Sequence, residues 1–169
     1  MKVLLTEQDM HTLSVYVANK PGVLARIAQV FARRGYNIES LVVSPSMDGR
    51  YSRMTITAKG SADGLDQIMR QASKLVDVMH CTDHSLDAAV VREMGLIKIG
   101  AKAGDRAEAL QICEHFGCKS LDLSEESMIV QITGGSDKVD ACIAMLGKFH
   151  IIEMVRTGKV LMVRGRKET

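Results

Sequence analysis

The sequence predicts an α+β protein made of two ferredoxin-like βαββαβ domains, each with two helices packed on an antiparallel sheet. Three observations support this. Apolar residues alternate strictly in the first segment, apolar stripes recur later at helical spacing, and both halves repeat the same order of segments. Alternation is typical of a strand with one buried face, and the stripes are typical of amphipathic helices.

In the first half, residues 11–17 alternate and predict a strand. An apolar stripe follows at helical spacing, and Gly35 suits a left-handed helix end. Ser61 can cap a second helix. The two predicted stripes are Leu24, Ile27, Ala28 and Phe31, then Leu65, Ile68, Met69 and Ala72; further strands are predicted at residues 38–44, 51–58 and 76–81.

The second half repeats the pattern with a strand at residues 96–101 and a helix that ends at Gly117. Ser136 is predicted to cap the other helix. The stripes are Ala109, Ile112, Cys113 and Phe116, then Val139, Cys142, Ile143 and Leu146; strands are predicted at residues 119–123, 128–133, 149–155 and 160–163.

The repeat sets the predicted domain boundaries. Residues 1–11 form an N-terminal extension, and residues 12–84 form the first domain. Residues 85–94 are predicted as a linker, and residues 95–169 form the second domain.

Charge and composition exclude several classes of protein. There are 22 basic and 20 acidic residues, so no strong field attracts nucleic acid or an anionic membrane. Four cysteines are too few for a disulfide scaffold, and no apolar run suits a signal peptide or a membrane span. We therefore expect a cytoplasmic protein that binds neither nucleic acid nor membranes.

The connection after the first strand is the best candidate for a ligand site. It reads Asn19-Lys20-Pro21-Gly22 and leads directly into the first helix. Free amides in a helix's first turn, together with the positive end of its dipole, can bind a carboxylate. Asn19 could bind the ligand or cap the helix. The alternative interpretation is that these four residues only start a helix.

Asn37 is a second candidate, because it is polar and stands at the mouth of a predicted strand. This strand follows the first helix directly, so its start could lie at the sheet's surface and face a neighbouring copy of the chain. Gly35, Tyr36 and Ile38 are explained by a helix stop and a strand alone.

Catalytic and metal sites are poorly supported. Residues 113–118 (CEHFGC) resemble a metal motif, but Cys113 belongs to an apolar stripe and no matching second cysteine pair exists. The histidines are scattered, with no nucleophile turn beside them. Small-molecule binding and protein contact therefore remain.

The first half resembles an ACT domain, a βαββαβ module that binds amino acids between paired copies. More specific are residues 31–41 (FARRGYNIESL) and 52–56 (SRMTI), which are similar to the small regulatory subunit of acetolactate synthase (acetohydroxyacid synthase). In the second half the resemblance rests on Arg92-Glu93, which lead into residues 96–99 (LIKI), and on Arg156-Thr157-Gly158.

This resemblance implies a non-catalytic subunit that dimerises through its ACT domains and binds valine, or isoleucine or leucine, between them. It also implies activation of a large catalytic subunit that holds thiamine diphosphate, Mg²⁺ and FAD, with no cofactor or metal in this chain. The implied effector site comprises Asn19, Gly22, Val23, Leu24, Asn37 and Ile38. The effector carboxylate is expected on the amides of residues 22–24, and Leu24 and Ile38 are expected to line the side-chain pocket.

Two other hypotheses stay open from the sequence. A free-standing ACT protein could respond to an amino acid and act on another partner. A small enzyme on the same fold would need a nucleophile or an acid–base pair in a pocket, which the sequence does not offer.

Overall fold

The computed structural model describes residues 10–166 and 168–169, so most of the predicted N-terminal extension lies outside the described residues. The strands are β1 (Met10–Ala18), β2 (Ile38–Pro45), β3 (Tyr51–Lys59), β4 (Val78–Asp83), β5 (Ala89–Gly100), β6 (Lys119–Leu123), β7 (Ser127–Gly134), β8 (Ile151–Arg156) and β9 (Val160–Val163). The helices are α1 (Val23–Arg33), α2 (Ala62–Ala72), α3 (Arg106–Phe116) and α4 (Ser136–Leu146). This order confirms the α+β prediction with one βαββαβ pattern in each half.

The first sheet has the strand order β2-β3-β1-β4. Strand β3 pairs antiparallel with both β1 and β2, and β4 pairs antiparallel with β1. Alternate residues of β1 and β3 pack against α1 and α2 and form a core. Phe31 is the aromatic residue among its buried members. Its largest fully buried members include Phe31, Leu13, Ile27, Ile56, Leu65 and Ile68.

The second sheet has the order β6-β7-β5-β8, and β9 also pairs with β5. Its core forms between the alternating residues of β5 and β7 and the apolar faces of α3 and α4. The largest fully buried members are Ile97, Ile99, Met128, Ile132 and Leu146.

The division of the chain differs from the predicted boundaries. The predicted linker, residues 85–94, contains the first residues of β5, which starts at Ala89. One compact unit runs to Val90 and includes Lys159–Thr169 again, while Val91–Gly158 forms the other. Arg164 N donates to Ala88 O at 2.9 Å, which ties the last segment to the first unit.

Several local predictions also need correction. The buried face of α1 is Val23, Ile27, Val30 and Phe31, whereas Leu24 is 42% exposed. Ser136 is the first residue of α4 and makes no capping hydrogen bond, because Gly135 holds the cap position. Strand β8 starts at Ile151, since Gly147–Phe149 form a 3-10 turn. The predicted cap of α2 is confirmed, because Ser61 Oγ accepts from Gly64 N at 3.3 Å.

Two motifs of the second half, Arg92-Glu93 and Arg156-Thr157-Gly158, connect β5 to β8. Glu93 is buried, and its carboxylate accepts from Arg156 Nη2 at 2.6 Å and Nε at 3.3 Å. Burial disfavours the charge on Arg156, but hydrogen bonds to Glu93 and Asp140 raise its pKa above the usual value. Next to this ion pair, Thr157 N donates a hydrogen bond to Met94 O at 3.0 Å.

Tyr36 occupies a slot that two glycines leave open. A Cβ on Gly60 or Gly64 would overlap the Tyr36 ring or its hydroxyl, and at Gly60 even the more distant Cδ1 would lie only 2.9 Å away. Because Tyr36 directly precedes Asn37 and Ile38, this slot fixes where β2 begins.

We expect Gly60→Ala to lower the free energy of unfolding by ~1–3 kcal/mol, because the ring must leave its slot. Urea denaturation measures this change. In a Tyr36→Ala background the same substitution should cost little, since the overlap is gone. An equal cost in both backgrounds would show that the slot is not what Gly60 provides.

Candidate effector site

The connection between β1 and α1 turns sharply at Gly22. This residue is the N-cap of α1 and has φ 82°, a left-handed conformation that glycine adopts without strain. Pro21 therefore lies just outside the helix. The first intrahelical bond runs from Arg26 N to Gly22 O at 3.2 Å, so the amides of residues 22–25 precede the helical hydrogen bonds, and among them Val23 N donates to Lys20 O in a long bond of 3.4 Å.

The positive N-terminal end of the α1 dipole has fewer negative or capping groups beside it than the N-terminal ends of the other helices. Within the described part of the chain, α1 has neither a side-chain cap nor an acidic residue in its first turn. By contrast, α2 has the Ser61 cap and Asp63, α3 has Glu108 and α4 has Asp137. A helix dipole favours an anion by about 0.3–1 kcal/mol at an exposed end. An external carboxylate could supply that anion for α1.

Nearby side chains add positive charge. Asp77, whose side chain is 13% exposed, lies 2.8 Å from Arg26 Nη1 and 3.9 Å from Lys20 Nζ. One carboxylate therefore faces two cations beside the start of α1, and both cations remain largely exposed. The balance of charge at this end favours an anionic ligand.

Asn19 does not cap α1, so the capping alternative is wrong. Its Nδ2 donates to Gly49 O at 3.0 Å, and its backbone N donates to Arg50 O at 2.9 Å. Asn19 thus fastens the connection to the turn between β2 and β3. That turn is itself well ordered by hydrogen bonds from Ser46 and Arg50, which hold the pKa of Asp48 at about 2.

Val23 and Leu24 point to different environments. Val23 is only 3% exposed and belongs to the core, and its amide donates to Lys20 O at 3.4 Å, so its side chain anchors the helix and does not face a ligand. Leu24 is exposed, which leaves an apolar side chain beside the first turn of α1. Both were predicted as site residues, and the structure gives their side chains different environments.

Asn37 and Ile38 lie at the opposite end of the sheet from Asn19. In the register, Ile38 pairs with Ala58 and Ala58 lies across from His11, whereas Pro45 pairs with Ser52 and Ser52 with Val17. The six residue steps of β3 from Ser52 to Ala58 correspond to about 20 Å. One chain therefore does not bring the two parts of the predicted site together.

Strand β2 forms an edge of the first sheet. Leu41 and Val43 face the helix side, since they pair with the buried Ile56 and Met54. Even so, Leu41 is only partly buried and Val43 is 43% exposed. An edge strand with uncovered apolar residues is a template for pairing with another strand.

Sequence reasoning missed a row of rings on the first sheet. Tyr16 stacks on Tyr51 and on His80, with 5.2 Å between ring centroids in each pair. The alternation of β1 placed Tyr16 opposite the core, but only the register shows that neighbouring strands supply rings beside it.

Within residues 10–166 and 168–169, no three histidine, cysteine or carboxylate side chains are grouped as a metal site would need. No helix in the same part of the chain has the length and apolarity required to cross a membrane.

Comparison with known proteins finds a matching family model for each half of the chain. Residues 13–80 match a family model described as an AHAS small subunit-like ACT domain, and residues 92–165 match the model for the small subunit of acetolactate synthase. A probable acetolactate synthase small subunit of Archaeoglobus fulgidus is 41% identical over 94% of this chain and 99% of its own length. The acetolactate synthase small subunit of Mycobacterium leprae is 40% identical over 92% of each chain. A crystal structure of the small subunit from Thermotoga maritima has 41% identity and a TM-score of 0.84 over 94% of this chain and 99% of that one.

Proposed function

Because the chain belongs to the family of acetolactate synthase small subunits, we propose that it regulates a large catalytic subunit and makes it sensitive to a branched-chain amino acid. Valine is the proposed effector, with isoleucine and leucine as the competitors to test. The observation that supports a carboxylate effector is the uncompensated start of α1. The match of residues 92–165 favours this partner over the free-standing ACT alternative.

The proposed effector carboxylate lies on the amides of Gly22, Val23 and Leu24. The helix dipole and the excess of cations over Asp77 stabilise it there. The exposed side chain of Leu24 contacts the aliphatic part of the ligand. An apolar contact of this kind selects for branched side chains but separates valine from leucine by only ~1–3 kcal/mol.

The rest of the site is proposed to come from a second copy of the chain. If the edge strands β2 of two copies pair antiparallel about a two-fold axis, Ile38 of one copy lies beside Pro45 of the other. Pro45 is in register with Ser52 and Val17, at the end of the sheet that holds Asn19. Asn37 and Ile38 of one copy thereby approach the α1 start of its partner, and the half-exposed Leu41 and Val43 become covered.

In this proposal the chain performs no catalysis. Thiamine diphosphate, Mg²⁺ and FAD belong to the large subunit, and the assembly is cytoplasmic. The effector shifts the activity of the assembly only through its different affinity for the active and inhibited states, typically by ~1–3 kcal/mol.

Reconstitution with the large subunit from the same organism tests the function. Acetolactate formation should rise when this chain is added and fall again on titration with valine, while the chain alone should form none. Unchanged activity with and without the chain would contradict the regulatory role. Turnover by the chain alone would support the small-enzyme hypothesis instead.

The effector site is tested by comparing Gly22→Asp with Gly22→Asn. Both residues meet the same φ of 82° and have open space around a new Cβ, so they share any backbone strain. Only Asp places a carboxylate where the effector carboxylate should bind. We expect inhibition by valine to be lost with Asp and largely kept with Asn, while both still activate the large subunit. Equal inhibition curves for the two variants would show that the carboxylate does not bind at this helix start.

A further inference from the structure

The end of α3 brings two cysteines together. Gly117 has φ 62°, and Cys118 N donates to Cys113 O at 2.7 Å while Gly117 N donates to Glu114 O at 3.1 Å. These two bonds form the Schellman motif, which reverses the chain over the helix's last turn. Cys118 therefore returns towards Cys113 before β6 begins.

A third cysteine arrives from α4. Cys142 lies on the buried face of that helix, and its Sγ is 3.5 Å from the Sγ of Cys118. Cys113 and Cys142 are buried at 4% and 0% exposure, whereas Cys118 is only partly buried. Cys118 is thus the sulfur that a small reagent reaches first.

Burial also changes the pKa of the two buried thiols. Burial raises the pKa of Cys142 to about 12 and that of Cys113 to about 11, so both remain protonated at neutral pH. Lys138, one turn before Cys142 on α4, opposes the shift at Cys142. Its Nζ lies 3.8 Å from where a Cβ on Gly117 would be, so its ammonium group lies beside the same turn.

We propose that Cys118 and Cys142 form a reversible thiol–disulfide site that reacts with a hydroperoxide. The Cys118 sulfur, as thiolate, attacks one peroxide oxygen and the O–O bond breaks. The other oxygen leaves as hydroxide from hydrogen peroxide, or as alkoxide from an organic hydroperoxide, and is protonated to water or to the alcohol. Cys118 is then a sulfenic acid. The Cys142 sulfur attacks it, the S–O bond breaks, and the hydroxyl group leaves as water with the proton of Cys142. Overall, two thiols are oxidised to one disulfide and the hydroperoxide is reduced.

The required movement is small. A disulfide has an S–S length of about 2.05 Å, so the two sulfurs must approach by about 1.5 Å. Cys118 lies in the turn between α3 and β6 and can supply this movement without disturbing the α4 core. The product would join the α3–β6 turn covalently to α4. Reduction by a thiol returns the starting state.

The experiment uses the full chain, reduced and then exposed to hydrogen peroxide in its folded state. After denaturation and alkylation, mass spectrometry should count two free thiols where the reduced chain has four, and peptide mapping should find a Cys118–Cys142 link. Cys118→Ser should abolish the link, and Cys81→Ser, which removes the cysteine of the first unit, should keep it. Phenylarsine oxide, a reagent for paired thiols, should block the oxidation when added first.

Three results would overturn the proposal: four free thiols after oxidation, a link between Cys118 and Cys113, or a disulfide between other cysteines that forms equally in the wild-type chain and in Cys118→Ser. Because Cys118 is partly exposed, its replacement by serine should leave the fold intact, and circular dichroism checks this. None of these readouts uses the effector or the large subunit, so they are independent of the proposed regulatory role.

Discussion

The pairing of β3 with both β1 and β2 is the constraint on which the account of the effector site depends. Since both neighbours run antiparallel to β3, they run parallel to each other, and β2 is left at the edge of the sheet. The start of β2 and the end of β1 must then lie at opposite ends of one domain. Residues at these two positions can share a ligand only if another copy supplies one of them.

Electrostatics favour an anionic group at the end of the sheet where β1 leads into α1. The left-handed Gly22 starts α1 without a side chain that could occupy the first amides, and Asn19 is engaged with the β2–β3 turn. The other helices neutralise their starts with an acidic residue or a cap. A dipole interaction of ~0.3–1 kcal/mol cannot by itself give a useful affinity. The amide hydrogen bonds and the apolar contacts of Leu24 and Ile38 would have to contribute most of it.

Much of the fold could be predicted because alternation and helical stripes report directly on burial. The strands β1 and β3, the two core stripes of the second half and the Ser61 cap all follow from local patterns. Leu24 and Val23 could not be separated in this way, since both are apolar and only the angle of α1 on the sheet decides which one is buried. The first residues of β5 could not be predicted from a local pattern, because β5 also pairs with β9, which lies far along the chain. The resemblance to the family identified the candidate site residues. That Asn19 and Asn37 lie at opposite ends of the sheet could be seen only from the pairing register of the strands. The convergence of Cys118 on Cys142 likewise depends on how two helices pack, which no local pattern shows.

We propose that each effector site combines the α1 start of one copy with the β2 start of another. The most direct test mixes two effector-insensitive variants, one with Gly22→Asp and one with Asn37→Ala and Ile38→Ala together, and assays inhibition of the reconstituted enzyme. In a mixed dimer one site has both defects and the other has neither, so the mixture should regain inhibition by valine that neither variant shows alone. If the mixture stays as insensitive as its components, although mass spectrometry shows that mixed dimers have formed, each site lies within a single chain and the account is wrong.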